Sequence, residues 1–551
     1  MNEINIIPLG GQDETNKEMF ALEFNNDIYL LDSGIEIPMN SNYGIKLFVP
    51  KLEYLINRRE SVKGIFLSIG EKSKIGSLDY LIKEFPNLSI YGSTLTLKSL
   101  EVFFGEKVKK WKLISLQNRK QTIIDEITVI PFSVSSTVPG AYAYKFKFNN
   151  NSVIYLTNYI FDSIFEYNSL VQDIFPNPKE PTTILMSDSF YGTDNSKRSY
   201  SIIERVEESF KKSKGRIFTT IYNHDVYVAA EVLSLARKYQ RKVYFTDKIT
   251  FNLMNLYIEN KVIKNVKLFL IDNNTMFDKN AVIIINDDKT TLFNFFIDIL
   301  KRPLVMMNIE PKEQDLIILA SPPISGNEHV YSNLQSQLSY LNSEIIEIKP
   351  EEFKSIRPSL FDLKNYLQVI NPKYLIPICG LYKEQIQLQK LFTNLDNPAS
   401  NFIITFNGQK SSFHDGKYIG SSIFSKQFGS TIIEGDRNNF ITSNIIGERE
   451  QLGNSGVISI GVIVSSKTKE IISNPDAQMR GVVFLKNQGD LLERVIEKFI
   501  EITKFFLNED EVFDKNKIIH KNVKEITKLV KAEIKKSPII IIKIIDKDGK
   551  K

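Results

Sequence analysis

Short apolar runs and turn residues alternate along the first part of the chain. Ile4 to Leu9, Met19 to Phe24 and Ile28 to Asp32 read as strands around Gly10-Gly11, with Asn25-Asn26-Asp27 as a hairpin turn. Gly64 to Leu81 is the stretch around which the rest is organised: a buried strand over Ile65 to Leu67, a tight loop at Gly70, and a helix from about Gly76. Leu78, Leu81 and Ile82 share one face of that helix. A strand over Leu88 to Tyr91 and a helix over Leu95 to Phe104 come next. Further strands are read at Ile124 to Pro131, Ala141 to Phe148 and Ser152 to Thr157. Antiparallel hairpins interleaved with helices predict a two-sheet α/β sandwich covered by helices.

From about residue 205 to 350 the pattern changes. Gly215 opens a strand, Val226 to Tyr239 is an amphipathic helix, and Lys242 to Phe245 is a strand. The alternation continues to Leu316–Ser321 and Ile345–Ile348. This predicts a separate Rossmann-like unit of mostly parallel strands, and without G-x-G-x-x-G it implies no dinucleotide. Pro372 to Gly380 is a further buried strand ending in a loop. The last hundred residues read as a small α+β domain, with strands at Val457–Val464 and Gly481–Leu485. A helix capped by Asp490 comes after them, carrying Leu492, Val495, Ile496, Phe499 and Ile502 on one face. A helix over 521–536 and the strand Ile539–Ile545 close the chain.

Composition narrows the function classes. The 551 residues suit about three domains. Seventy basic and sixty-five acidic residues leave a net charge of +5, which permits a nucleic-acid-binding face without demanding one. One cysteine, Cys379, excludes an intramolecular disulfide and fits a reducing cytoplasm. No apolar run is long enough to cross a bilayer, so no membrane association is expected. The four histidines are His224, His329, His414 and His520, too few and wrongly placed for a His-rich dinuclear centre.

Several stretches in order along the chain resemble the ribonuclease J family: Leu9 to Met19, Leu31 to Ile35, Gly64 to Leu81, Leu156 to Asp162, Leu185 to Ser189, Ser321 to Glu328 and Pro372 to Lys383. The resemblance implies a metallo-β-lactamase αββα sandwich with an inserted β-CASP (Rossmann-like) domain and a small C-terminal α+β domain. On that pattern residues 1–204 are the first part of the metallo-β-lactamase domain and 205–350 the β-CASP domain. Residues 351–447 are the second part with its linker, and 448–551 the C-terminal domain. Family members cut RNA from the 5′ end and internally, with two metals activating a water.

At the positions the resemblance assigns to metal ligands and the catalytic histidine, this chain departs from the family. The His-x-His-x-Asp-His positions are Ile69, Glu71, Ser73 and Lys74, and a further ligand histidine falls at Ser136. The bridging aspartate falls at Asn158, another histidine at Cys379, and the catalytic histidine at Arg357. Asp32, Asp188, Glu328 and several glycines survive. An ammonium at position 74 repels a dication, and a neutral Asn158 cannot bridge two. Without a metal-bound water, hydrolysis loses its main acceleration. Asp32 is expected to be a turn or capping carboxylate, Asp188 to accept bonds from loop amides, and Cys379 to be a small buried filler.

The resulting expectation is an RNA-binding, cytoplasmic protein with no cofactor. It would act as a non-catalytic subunit or modulator that pairs with an active ribonuclease J paralogue or with itself. Ser355, Arg357, Ser359, Gly326 and Lys74 are the candidate phosphate contacts. Lys107 to Lys112 with Trp111, and Lys211, Lys212, Lys214 and Arg216, are candidate RNA-backbone contacts. Two alternatives stand beside it. One is a weak metal-dependent 5′–3′ exo- or endoribonuclease that holds zinc, magnesium or manganese weakly on Glu71, Asp32 and Asp188. The other is a scaffold without RNA contact.

Overall fold

The computed structural model describes residues 3–548 apart from 15, 39–43, 162–182, 190–200, 224, 273–274, 276–277, 302–308, 351–356, 394–400, 424–427, 436–438, 442, 483–487 and 510–512. The chain divides into two compact units, residues 1–40 with 46–431, and residues 41–45 with 432–551.

Two sheets face each other in the first unit. In spatial order the first is Lys417–Ile423, Gln409–His414, Glu3–Gly10, Met19–Phe24, Asp27–Leu31, Val62–Phe66, Ser89–Gly92 and Lys112–Ser115. The second runs Asn401–Phe402, Tyr374–Ile378, Ile184–Asp188, Asn151–Leu156, Tyr142–Phe148, Ile127–Ser133 and Thr122–Ile124. Alternation along each strand sends one set of side chains between the sheets. Phe20, Tyr29 and Phe66 from the first sheet meet Tyr144, Phe146 and Tyr155 from the second in one buried cluster. Phe66 packs edge-on against Tyr144 and Phe146, with ring centroids 5.5 and 5.0 Å away. The opposite faces are covered by helices. Leu78 and Leu81 of helix Leu78–Glu84, with Leu97 and Leu100 of helix Thr94–Phe104, lie on Leu30 and Ile65. Leu363, Tyr366 and Leu367 of helix Leu360–Ile370 lie on the second sheet at Ile154 and Leu156.

The third sheet is parallel throughout, in the order Leu268–Leu270, Lys242–Phe245, Ala281–Asp287, Ile217–Tyr222, Leu316–Leu319 and Glu344–Glu347. Helices cover both faces. Ile217, Ile221 and Ile284 pack under helices Ile203–Lys212, Val226–Lys238 and Lys248–Glu259, whereas Phe218, Ile283 and Ile285 pack under Leu292–Lys301 and Glu328–Leu338. Burial on both faces is why these strands read as unbroken apolar runs.

In the second unit strand Val457–Ser465 pairs in parallel with Ile539–Asp546 and antiparallel with Asp476–Arg480. Helices Gln488–Glu509 and Lys515–Ile534 bury Leu491, Val495, Phe499, Ile518, Ile526 and Val530 against Ile458, Ile460 and Ile544.

Three expectations need correction. The run over 124–131 is two strands, broken by a turn at Asp125, whose φ is +51°. The strand expected at Gly481–Leu485 is Asp476–Arg480, whose polar residues alternate around buried Met479; 483–487 lie outside the described residues. Asp490 stands inside the first turn of helix Gln488–Glu509, so it faces the helix's positive end without occupying the cap.

Candidate functional site

Five strands of the sandwich end at one place. Asp32 comes after strand Asp27–Leu31, the 69–75 loop after Val62–Phe66, and Thr157 and Asn158 after Asn151–Leu156. Asp188 ends Ile184–Asp188, and Cys379 comes after Tyr374–Ile378. Carboxyl ends of strands are where α/β sheets gather functional groups. Asp32, Asn158 and Cys379 take left-handed backbone at φ +57°, +50° and +63°. Such conformations cost of order 1–3 kcal/mol each and persist where surroundings enforce them. Gly34 lets the segments close together: a Cβ there would lie 1.8 Å from the Ser73 carbonyl oxygen. Its amide donates to the Glu18 carbonyl at 2.9 Å, while the Ser33 amide donates to the Lys74 carbonyl at 2.6 Å. These bonds set Glu18 beside Lys74.

A chain of buried ion pairs fills the site. Lys74 is fully buried; its ammonium pairs with Glu18, donates to Thr157 Oγ1 at 2.7 Å and lies 4.0 Å from Asp32 Oδ2. Arg357, 5% exposed, places Nη2 2.6 Å from Glu18 Oε1 and Nη1 2.7 Å from Asp188 Oδ2. Glu18 therefore holds two cations at once. Thr157 Oγ1 also lies 2.9 Å from Asn158 Oδ1 and 3.5 Å from Asp188 Oδ2. Asp32 accepts from the Ser68 amide and hydroxyl at 2.7 and 2.6 Å and from the Tyr155 hydroxyl at 2.6 Å.

These pairs set the protonation states. Burial alone would raise the Glu18 pKa, but Arg357 and Lys74 together outweigh it and hold the carboxyl below its usual range. Burial works against the Lys74 ammonium, yet Glu18 keeps its pKa above the ordinary value; Asp188 and Glu18 do the same for Arg357. Asp32 is pushed up to about 6, because burial exceeds the help from Lys74, Ser68 and Tyr155. Burial, then Glu18, lifts the Cys379 thiol well above its usual value, so it stays protonated.

The structure brings together Lys74, Arg357, Asp32, Asp188, Asn158 and Cys379 from the positions singled out in the sequence. Glu18, the residue that joins them, was missed. Ile69 is hydrocarbon within the core, and Glu71 accepts from the Ser73 hydroxyl. Ser136 is buried, with its hydroxyl, the Thr137 hydroxyl and Asn158 Nδ2 unpartnered among the described residues. Asp32 is neither a turn nor a helix cap, since its carboxylate faces Lys74 and takes three hydrogen bonds. Asp188 accepts from the Arg357 guanidinium at 2.7 Å. Cys379 is fully buried in the core between the sheets, as expected, within electrostatic reach of Glu18, Lys74 and Arg357.

The expected phosphate contacts are differently employed. Lys74 and Arg357 spend their charge on carboxylates inside the protein. The Ser359 hydroxyl caps helix Leu360–Ile370 in a reciprocal bond with Asp362, and the Gly326 amide donates to Glu328 at 2.8 Å. Ser355 lies outside the described residues. In the basic clusters, Lys107 pairs with Asp79 and Lys109 with Glu106, while Trp111 packs on Phe104. Arg216 is 5% exposed and bound to Asp315 at 2.7 Å, so it is a structural ion pair and not part of a basic surface. Among the described residues no three His, Cys, Asp or Glu side chains are grouped to hold a metal ion, and no helix is long and apolar enough to cross a membrane.

Residues 444–547 match the family described as ribonuclease J C-terminal domain. The chain is 26% identical to a protein named Ribonuclease J 2 from Staphylococcus saprophyticus, over 98% of this chain and 97% of that one. It is 25% identical to Ribonuclease J 2 of Staphylococcus aureus over the same shares. A crystal structure of a protein of unknown function from Enterococcus faecalis V583 superposes on 75% of this chain and all of its own, with a TM-score of 0.52 and 15% identity, a likeness of fold. The C-terminal match, the end-to-end similarity and the sheets described above place this chain in the ribonuclease J family, with its metallo-β-lactamase/β-CASP fold and C-terminal domain.

Proposed function

We propose that this protein is a non-catalytic member of its family that binds RNA in the cytoplasm and modulates an active ribonuclease J during RNA processing and decay. The observation that carries it is the buried chain Asp188–Arg357–Glu18–Lys74. Two divalent ions do not fit this set of residues. An ammonium and a guanidinium stand where cations would have to sit, and the carboxylates left for a reduced site are already engaged: Asp188 by Arg357, Asp32 by Ser68 and Tyr155, Glu71 by Ser73. Hydrolysis then lacks the hydroxide that bound metals generate at neutral pH. Within the chain Asp188–Arg357–Glu18–Lys74 each buried charge has a counter-charge from this protein's own residues, which supports a site that needs no ions.

The left-handed strand ends and the end-to-end similarity support a role that uses the fold, with RNA and a second subunit as partners. The division at 204, 350 and 447 belongs to the same proposal, the parallel sheet between Ile217 and Glu347 being its β-CASP part. The test mixes the full chain with an active ribonuclease J and 5′-monophosphorylated RNA. Alone, the chain should retain RNA without cutting it in zinc, magnesium or manganese; together, the two should co-elute and the cutting rate should change. Cleavage by the chain alone that is lost in Asp188→Ala would establish the weak-nuclease alternative. Partner binding unaffected by RNA competitor would establish the scaffold.

A further inference from the structure

The turn Asp288–Thr291 carries strand Ala281–Asp287 into helix Leu292–Lys301. Lys289 in this turn is half-buried, and its ammonium has no acceptor among the described residues. The buried cations Lys17, Lys74, Arg216 and Arg357 are all paired. Beside it the Thr290 hydroxyl oxygen is buried and likewise without a partner. The Lys289 ammonium lies within electrostatic reach of Glu71, Glu18, Asp288 and Arg357. Those carboxylates are engaged elsewhere: Glu71 by Ser73, Asp288 by Lys72 at 3.1 Å, Glu18 by Lys74 and Arg357. The Lys289 carbonyl is fixed by the Asn327 side chain, which holds the turn in place. Burial, opposed by Glu71 and aided by Arg357, lowers the Lys289 pKa, which an arriving anion would restore.

An unpaired ammonium and an unpaired hydroxyl therefore meet at a helix start, whose dipole favours negative charge. This helix starts at the carboxyl end of a parallel strand, the usual seat of phosphate in such sheets. We propose that Lys289 and Thr290, at the start of helix Leu292–Lys301, hold one backbone phosphate of a bound RNA at the mouth of the ion-pair site. This rests on the RNA-binding function proposed above and names a contact that the sequence did not single out.

The test uses the full chain and a 5′-monophosphorylated single-stranded oligoribonucleotide, with binding read by fluorescence anisotropy across a salt series. Lys289→Gln should weaken binding about tenfold and lower the slope of log affinity against log salt by about 0.7, one single-strand phosphate contact. Lys289→Arg should keep both, and exposed Lys109→Gln should change neither. The melting temperature should stay put in Lys289→Gln, because no internal partner is lost. Unaltered affinity and slope in Lys289→Gln, while the unmodified chain binds RNA, would overturn this contact alone. A lowered melting temperature with unaltered RNA binding would show Lys289 pairing with Glu71 and would overturn it too. Absence of RNA binding by the unmodified chain would remove the broader proposal, and this one with it.

Discussion

Replacing Glu18 by Gln tests the buried ion pairs at their centre. The substitution keeps the side-chain shape and removes the one charge shared by Lys74 and Arg357. Arg357 retains Asp188 at 2.7 Å, but Lys74 keeps only Thr157 and an Asp32 carboxylate 4.0 Å away. Removing one partner of a buried pair costs about 3–5 kcal/mol, since it strands a charge out of water. For a cooperative unit of about 430 residues, at roughly 2 cal/mol/K of unfolding entropy per residue, that lowers the melting temperature by about 3–6 °C. Glu18→Gln combined with Lys74→Met removes the stranded ammonium and should recover most of the loss, giving a coupling energy of at least about 2 kcal/mol. Thermal scans and urea titrations of the four proteins in the cycle supply the numbers. A Glu18→Gln cost under about 1 kcal/mol, or a double variant no more stable than the single one, would refute the reasoning, because an isolated surface pair is worth no more than that.

The same geometry fixes other outcomes. Asp32 binds its proton more tightly folded, at about 6, than unfolded, so its buried charge burdens the fold at neutral pH. That burden lifts as pH falls through 6 toward 4, and Asp32→Asn should flatten this part of the stability profile relative to the unmodified chain; an unchanged profile would sink the assignment. Arg216→Met should cost about 3–5 kcal/mol by stranding Asp315 and leave the RNA salt slope unaltered, since that guanidinium is internal; a smaller slope would return it to the RNA face. Cys379, buried and protonated, should resist a thiol reagent until the chain unfolds, and fast labelling of the native protein would contradict the closed site.

Much of the fold was legible because periodicity reports burial. Met19–Phe24 and Lys242–Phe245 are strands at the residues where the apolar runs placed them, and the parallel sheet showed itself in doubly buried stretches. Asp476–Arg480 was not legible, since one exposed face leaves a polar strand with a single buried Met479. The site was half legible. The positions that the resemblance assigns to ligands could be read one by one, but the ion pairs found there could not, because Glu18 stands far along the chain from both Lys74 and Arg357. A lone Glu before an apolar run looks like a strand edge. Its signal is joint: a carboxylate in one segment goes with cations in two others. Arg216 misled for the same reason, its partner Asp315 lying on another strand's approach.

Metal analysis of the full chain, purified without chelator and then equilibrated with zinc and manganese, bears most directly on the proposal that Lys74 and Arg357 stand in place of metal ions. Fewer than about 0.1 ions per chain and an unmoved melting temperature are expected, because the Lys74 ammonium and Arg357 guanidinium already engage Glu18 and Asp188 and leave no place for a dication. About two tightly held ions per chain, raising the melting temperature and lost in Asp188→Ala, would contradict it.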